Sequence, residues 1–113
     1  MGVSNLQYRH QTIQSTAGEA IGSSYRWPGG QYCVIHTDRG ILACGIYDCR
    51  IATEFGLAVA VARGTPEHPL SQPEELLTAS IAEVSQAAAE MGIRVGMKGQ
   101  EALDLLLGYQ RNQ

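Results

Sequence analysis

Gly40-Ile41-Leu42-Ala43-Cys44-Gly45-Ile46-Tyr47-Asp48 is the stretch on which the fold class turns. It reads as a buried strand that runs up to Asp48, where a helix begins. Asp48 is a good N-cap for a short helix over 49–55, and Gly56 closes that helix at the C′ position. Leu57-Ala58-Val59-Ala60-Val61-Ala62 follows. It is apolar on both faces, as a strand in the middle of a covered sheet is. Its alanines let a helix come close. Strand, short helix and strand in this order predict a parallel crossover, right-handed as such connections are.

Upstream, residues 32–37 pair with 41–47 around Asp38-Arg39-Gly40. A glycine there suits the left-handed position of a three-residue loop with a bulge. That register sets Thr37 against Ile41 and Val34 against Cys44, and it makes His36 and Cys44 diagonal neighbours on one face. A strict two-residue loop sets Cys33 against Cys44 instead. The glycine favours the bulged form.

The first 30 residues read as another hairpin. Residues 5–14 put Leu6, Tyr8, His10 and Thr12 on one side, Ser15-Thr16-Ala17-Gly18 supplies turn chemistry, and Ile21, Ser23, Tyr25 and Trp27 share a face up to Pro28-Gly29-Gly30. The hairpin is aromatic but polar, and two strands alone are marginal in water. It needs something to lie against, a second copy of the chain being one answer.

Downstream of the loop at 65–70, Ser71-Gln72-Pro73-Glu74 has capping-box spacing for a short helix with Leu76 and Leu77. Ser80-Ile81-Ala82-Glu83 repeats the spacing and predicts a longer helix through Val84, Ala88 and Met91 that ends at Gly92. A short extended piece follows at 93–95, then a final helix over 99–107 with Leu103, Leu106 and Leu107 inward. The fold class is α+β: a two-layer mixed β-sheet with helices packed on it, plus the N-terminal hairpin. The 113 residues make one domain, with 5–27 as the hairpin and 31–107 as the α/β core.

Composition narrows the function. A net charge of −3 with no basic cluster argues against nucleic acid as a partner, because phosphates demand a positive face. No apolar run is long enough for a membrane span, and the start does not read as a signal peptide. Met1-Gly2 invites a lipidation reading, but Leu6 stands where that motif needs Ser or Thr. Three cysteines, an odd number without a secretory context, imply reduced thiols and a cytoplasmic location. A charged fraction of only 17% leaves neutral surface free for self-association.

Gly92-Ile93-Arg94-Val95-Gly96-Met97-Lys98-Gly99-Gln100-Glu101-Ala102-Leu103 resembles the G-I-x-x-G-M-x-G-x-E-A-L signature of the YunC-like family, small bacterial and archaeal domains of unknown function. The stretch from Gly40 to Asp48, with Cys44, Gly45 and Asp48, resembles that family's G-x-x-x-C-G-x-x-D. The likeness covers roughly residues 31–107. It implies a tetramer built through an N-terminal β region, and it carries over no catalytic residues. The chain departs from the family in a longer loop at 65–70 and a more polar hairpin.

Several residues invite a chemical reading. Cys44 is a candidate nucleophile with His36 as its base, or else a small buried strand residue. Cys49, at the first position of a helix, is favoured as a thiolate by the helix dipole, but it lacks a partner and reads as a packing residue. Gly45, Asp48 and Arg63 form a candidate binding set at the strand ends, where α/β sheets take their ligands. In that set Arg63 holds an anion, or simply lies along the sheet rim. Gly96-Met97-Lys98-Gly99 offers free N–H groups for a phosphate, or a tight turn that aims the last helix. Cys33, His36, Cys44, Cys49 and His68 lack the paired short spacings of a zinc site, so no metal or other cofactor is expected.

Two functional classes follow. One is a homo-oligomeric binding or regulatory domain with a small-molecule or anion ligand. The other is a cysteine-dependent enzyme. No acid, base and oxyanion set stands at recognisable spacing, which favours the first.

Overall fold

A computed structural model describes residues 5–108; the Met1-Gly2 start lies outside them. Six strands form one sheet in sequential order. The chain runs β1 (Gln7–Ser15), β2 (Gly18–Trp27), β3 (Gly30–His36), β4 (Ile41–Ala43), α1 (Cys49–Glu54), β5 (Val59–Arg63), α2 (Pro73–Leu76), β6 (Ser80–Val84), α3 (Gln86–Glu90) and α4 (Gly99–Leu106). Every neighbouring pair is antiparallel except β4 and β5, which are parallel and joined through α1. The crossover expected from the central stretch is therefore present, and the sheet is mixed.

The N-terminal hairpin is not a separate unit. Strand β2 pairs with β3 from Ile21 opposite His36 to Trp27 opposite Gly30, so the hairpin extends the sheet of the core. The backbone of β2 thus has partners on both sides. Its side chains are another matter.

Strand alternation sorts the residues onto two faces. Ile13, Ala20, Cys33, Ile35, Leu42, Ala60 and Ala62 lie on one, beneath Leu76 of α2 and Leu103 and Leu106 of α4. We call this the covered face. Ala60 and Ala62 are fully buried, as expected of the strand's small side, which lets the helices settle closely. The approach is tightest at Gly99, where a β-carbon would stand 1.8 Å from the Leu76 carbonyl oxygen. On the back face, Val59 and Val61 pack under Cys49 and Ala52 of α1, with Ile41 and Tyr47 beside them. The two-layer expectation thus holds for α2 and α4, while α1 forms a small layer of its own on the other side.

The segment after Ser80 differs from expectation. Residues Ser80–Val84 are strand β6, paired with β5 through Ala60 opposite Val84 and Arg63 opposite Ser80, with an irregularity at Val61 and Ala62. The helix starts five residues later. Ser85 is its N-cap: the Ser85 hydroxyl oxygen accepts from Ala88 N–H at 3.3 Å and Val59 N–H at 2.9 Å, and donates to the Leu57 carbonyl at 2.7 Å. One buried hydroxyl therefore satisfies a helix start and locks it to β5. Gly92 ends this segment with φ +97°, as predicted, whereas 93–95 run as loop and turn rather than as an extended piece. Helix α2 is capped by Gln72, one residue later than the spacing indicated, with Glu75 accepting from the Gln72 N–H at 2.9 Å. No described helix is long and apolar enough to cross a membrane.

Candidate functional site

The turn between β3 and β4 decides what Cys44 faces. Thr37 closes it: its hydroxyl accepts from Gly40 N–H at 3.0 Å and donates to the Gly40 carbonyl at 2.7 Å, while Thr37 N–H also reaches that carbonyl at 2.9 Å. Only Asp38 and Arg39 remain in the loop. Gly40 does not take the left-handed conformation. It is there because a β-carbon would sit 2.5 Å from the Ala58 carbonyl oxygen and 2.7 Å from the Ala58 β-carbon. With no left-handed residue there is no bulge, and the register moves by one. Val34 pairs with Ala43, Ile35 with Leu42 and His36 with Ile41.

Cys44 consequently stands opposite Cys33, with its N–H donating to the Cys33 carbonyl at 3.2 Å. Both thiols point to the covered face. His36 alternates to the back face, is exposed, and borders a cavity of about 450 Å³ with Glu19, Asp38 and Leu107. The expected Cys44–His36 pair is therefore not formed. Cys33, which the bulged register turned away, takes the place of the histidine. The signal that pointed to it was the two-residue loop, and Thr37 is the residue that closes that loop.

The thiols have different environments. Cys44 accepts a hydrogen bond from the Cys33 thiol and another from the Ile46 N–H; together they outweigh burial and lower its pKa from 9.0 to about 6. Donating to Cys44, together with burial, pushes the Cys33 thiol upward. Cys33 is fully buried, while Cys44 lies just beneath the exposed residues Gly45 and Ile46. Tyr47 follows in the same loop. Burial raises its pKa, and Tyr32 and Cys44 nearby act the same way. Its ring meets Tyr32 edge-on at 6.4 Å, and Tyr32 in turn stacks on Tyr25 at 5.0 Å.

Cys49 packs, as expected, and the dipole argument for its thiolate fails. It occupies the first position of α1, yet burial, followed by Glu83 and Asp48, lifts its pKa to about 11. Its thiol donates to the Val59 carbonyl at 3.7 Å. The dipole of a six-residue helix does not offset that desolvation. Cys49 is a packing residue.

The binding candidates separate. Asp48 spends its carboxylate on its own helix, accepting from Arg50 N–H at 2.8 Å, which holds its pKa below the ordinary carboxylate value. Gly45 lies beside Arg63: a β-carbon there would meet nothing nearer than Arg63 Nε at 4.0 Å. Gly45 is thus exposed with room around it, not a point of close backbone approach. Arg63 pairs with Glu83 at 2.6 Å and borders a cleft of about 480 Å³ with Thr65, His68, Leu70, Glu75 and Ser80.

The turn before α4 does not cradle an anion. Gly96 N–H donates to Ile81, Met97 N–H to Arg94, Lys98 N–H to the Glu101 carboxylate and Gly99 N–H to Ala79. All four are committed, and Gly96 at φ +94° serves the turn. Among the described residues no three His, Cys, Asp or Glu side chains converge to hold a metal ion. Cys49 and His36 lie on the opposite side of the sheet from Cys33 and Cys44.

Comparison with known proteins adds a family and a fold. The family model described as a domain of unknown function, DUF1805, matches residues 43–106, more than half of the chain. The chain is also similar to a protein of unknown function, TA1206, from Thermoplasma acidophilum, known from its crystal structure. The two superpose with a TM-score of 0.79 over 89% of this chain and 94% of that one, at 18% identity. That likeness shows a shared fold. No curated protein matches the sequence. The matched segment carries the whole of the motif from Gly92 to Leu103 and the Cys44-Gly45 to Asp48 part of the other motif that resembled the YunC-like family, and the chain belongs to the DUF1805 family.

Proposed function

We propose that the chain works as a homo-oligomeric binding domain, assembled through the back face of β1–β3. The observation that carries this reading is the contrast between the two sides of those strands. On the covered side, Ile13 and Ala20 are buried under the helices. On the back, Tyr8 is 65% exposed, Ile21 50% and Trp27 39%, with Tyr25 and Tyr32 between them only partly buried. A contiguous aromatic surface of this kind on a small domain marks a contact site, and a second copy offers a self-complementary one. The tetramer implied by the family likeness agrees with it.

The ligand of such an assembly is a small polar molecule in the cleft beside Arg63. His68, Thr65 and Ser80 offer polar contacts there, and Leu70 and Pro69 offer apolar wall. Arg63 is half of an exposed pair with Glu83, a weak interaction that an incoming anion can exchange. Replacing Trp27 with Lys tests the assembly: the molecular mass in solution should fall to that of one chain while the circular dichroism stays native. Native mass spectrometry of the purified protein tests the ligand. A copurified small molecule that is lost in Arg63→Ala supports the cleft; an unliganded protein in both forms speaks against it. The cysteine-enzyme reading that relied on His36 loses its base to the register.

A further inference from the structure

We infer that Cys33 and Cys44 form a peroxide-reactive dithiol, in which Cys44 is the attacking sulfur and Cys33 the resolving one, closing a cross-strand disulfide. The inference does not depend on how copies assemble or on the cleft beside Arg63.

The geometry assigns both roles. Cys33 and Cys44 are direct partners across β3 and the residue that follows β4, joined by the Cys44 N–H to Cys33 carbonyl bond at 3.2 Å. Partners of this kind in antiparallel pairing keep their α-carbons about 5.5 Å apart, inside the span of roughly 4.4–6.8 Å that a disulfide bridges. Cys44 is the first residue beyond β4, which ends at Ala43, and it is held opposite Cys33 by that N–H bond. Its sulfur is met by the Cys33 thiol and the Ile46 N–H, both donors, which hold negative charge on the sulfur. Cys44 keeps 7% of its surface exposed and is followed by the exposed Gly45, whereas Cys33 is sealed in the core at 0%. A small oxidant therefore meets Cys44 first. Cys49, bonded to the Val59 carbonyl under α1, is on the other face and takes no part.

The steps balance with a hydroperoxide, ROOH, as oxidant. The Cys44 thiolate attacks the terminal peroxide oxygen; an S–O bond forms, the O–O bond breaks, and the leaving alkoxide takes the proton of the Cys33 thiol to become ROH. The Cys33 thiolate then attacks the Cys44 sulfenic sulfur. An S–S bond forms, the S–O bond breaks, and hydroxide leaves as water by taking up the proton that Cys44 gave to solvent on forming its thiolate. Two sulfurs have lost one electron each and the peroxide has gained two. Two equivalents of a small thiol reopen the bridge by exchange.

The test treats the folded, reduced protein with a small molar excess of hydrogen peroxide and follows intact mass and peptide maps. The expected product has lost two hydrogens, carries a Cys33–Cys44 bridge, returns to the starting mass with a reducing thiol, and forms equally in Cys49→Ser. Cys33→Ser should stop with one added oxygen on Cys44. Cys44→Ser should consume peroxide at least about tenfold more slowly, since the remaining thiols stay protonated. The wild-type and Cys49→Ser maps decide the matter even if a core variant fails to fold. A wild type that stays unoxidised while folded, that gains oxygens without losing hydrogens, or that bridges through Cys49 overturns the inference.

Discussion

The two faces of the sheet are built from the same strands and end in opposite states. On the covered face, Ile13, Ala20, Cys33, Ile35, Leu42, Ala60 and Ala62 are buried in one core with side chains of α2 and α4, and the fit at Gly99 leaves no room for a single methyl group. On the back, α1 shields only the β4–β5 end, and its own outer side shows Ile51, Phe55 (73% exposed) and, just beyond it, Leu57. The remainder is an uncovered aromatic row on β1–β3. Strand β2 pairs with β1 over 18–26 and with β3 over 21–27, so it is side-chain burial that differs. A strand can thus be paired on both edges and still leave one face unpartnered, and that face is where assembly has something to gain.

The largest contrast between the faces lies in their thiols. Cys44 on the covered face is lowered to about 6 by its Cys33 and Ile46 donors, and Cys49 under α1 is raised to about 11 by burial. The thiolate is the form that alkylates, and its fraction grows as pH rises through each value. Labelling with iodoacetamide should therefore be half-maximal near pH 6 at Cys44, while Cys49 stays protected at neutral pH. Equal labelling of the two at neutral pH would erase the distinction.

Truncation in the covered core comes next. Leu106→Ala should destabilise the fold by about 2–5 kcal/mol, from lost transfer energy plus a cavity. Phe55→Ala, on the exposed side of α1, should stay within about 0.5 kcal/mol for the protomer. Denaturant melts of both variants measure the difference directly. A smaller effect belongs to the hinge between the faces: Ser85→Ala removes the α3 cap and leaves the Val59 N–H without its partner, for a loss of about 1–2 kcal/mol. Smallest of all is Gly45→Ala. The space around Gly45 is open, so its melt should fall within about 0.5 kcal/mol of wild type; a larger loss would mean that the loop over Cys44 is packed more tightly than its geometry shows.

What could be read from the residues beforehand was the local chemistry. Asp48 at an N-cap, Gly56 past a helix end and Gly92 at a turn are decided by near neighbours, and α1, the parallel crossover and the start of α4 followed from them. What could not be read was settled by distant contacts. Ser80-Ile81-Ala82-Glu83 carries helix-start spacing, but β5 needs a partner along its free edge, and the ladder to Ser80–Val84 outweighs that local preference. Gly40 looked like a left-handed turn residue. Its real constraint is Ala58, eighteen positions away, and the one-residue register change that follows is what exchanges His36 for Cys33 at the candidate site. The hairpin's aromatic side was visible from alternation alone, whereas its continuity with β3 was not.

The central claim is that the uncovered face of β1–β3 joins copies of the chain. Light scattering coupled to size-exclusion chromatography measures it most directly, on the wild type and on Trp27→Lys at micromolar concentration. The wild type should elute as a tetramer of the 12.2 kDa chain and the variant as a folded single chain. A wild type of 12.2 kDa, or a Trp27→Lys protein with unchanged mass, would contradict it.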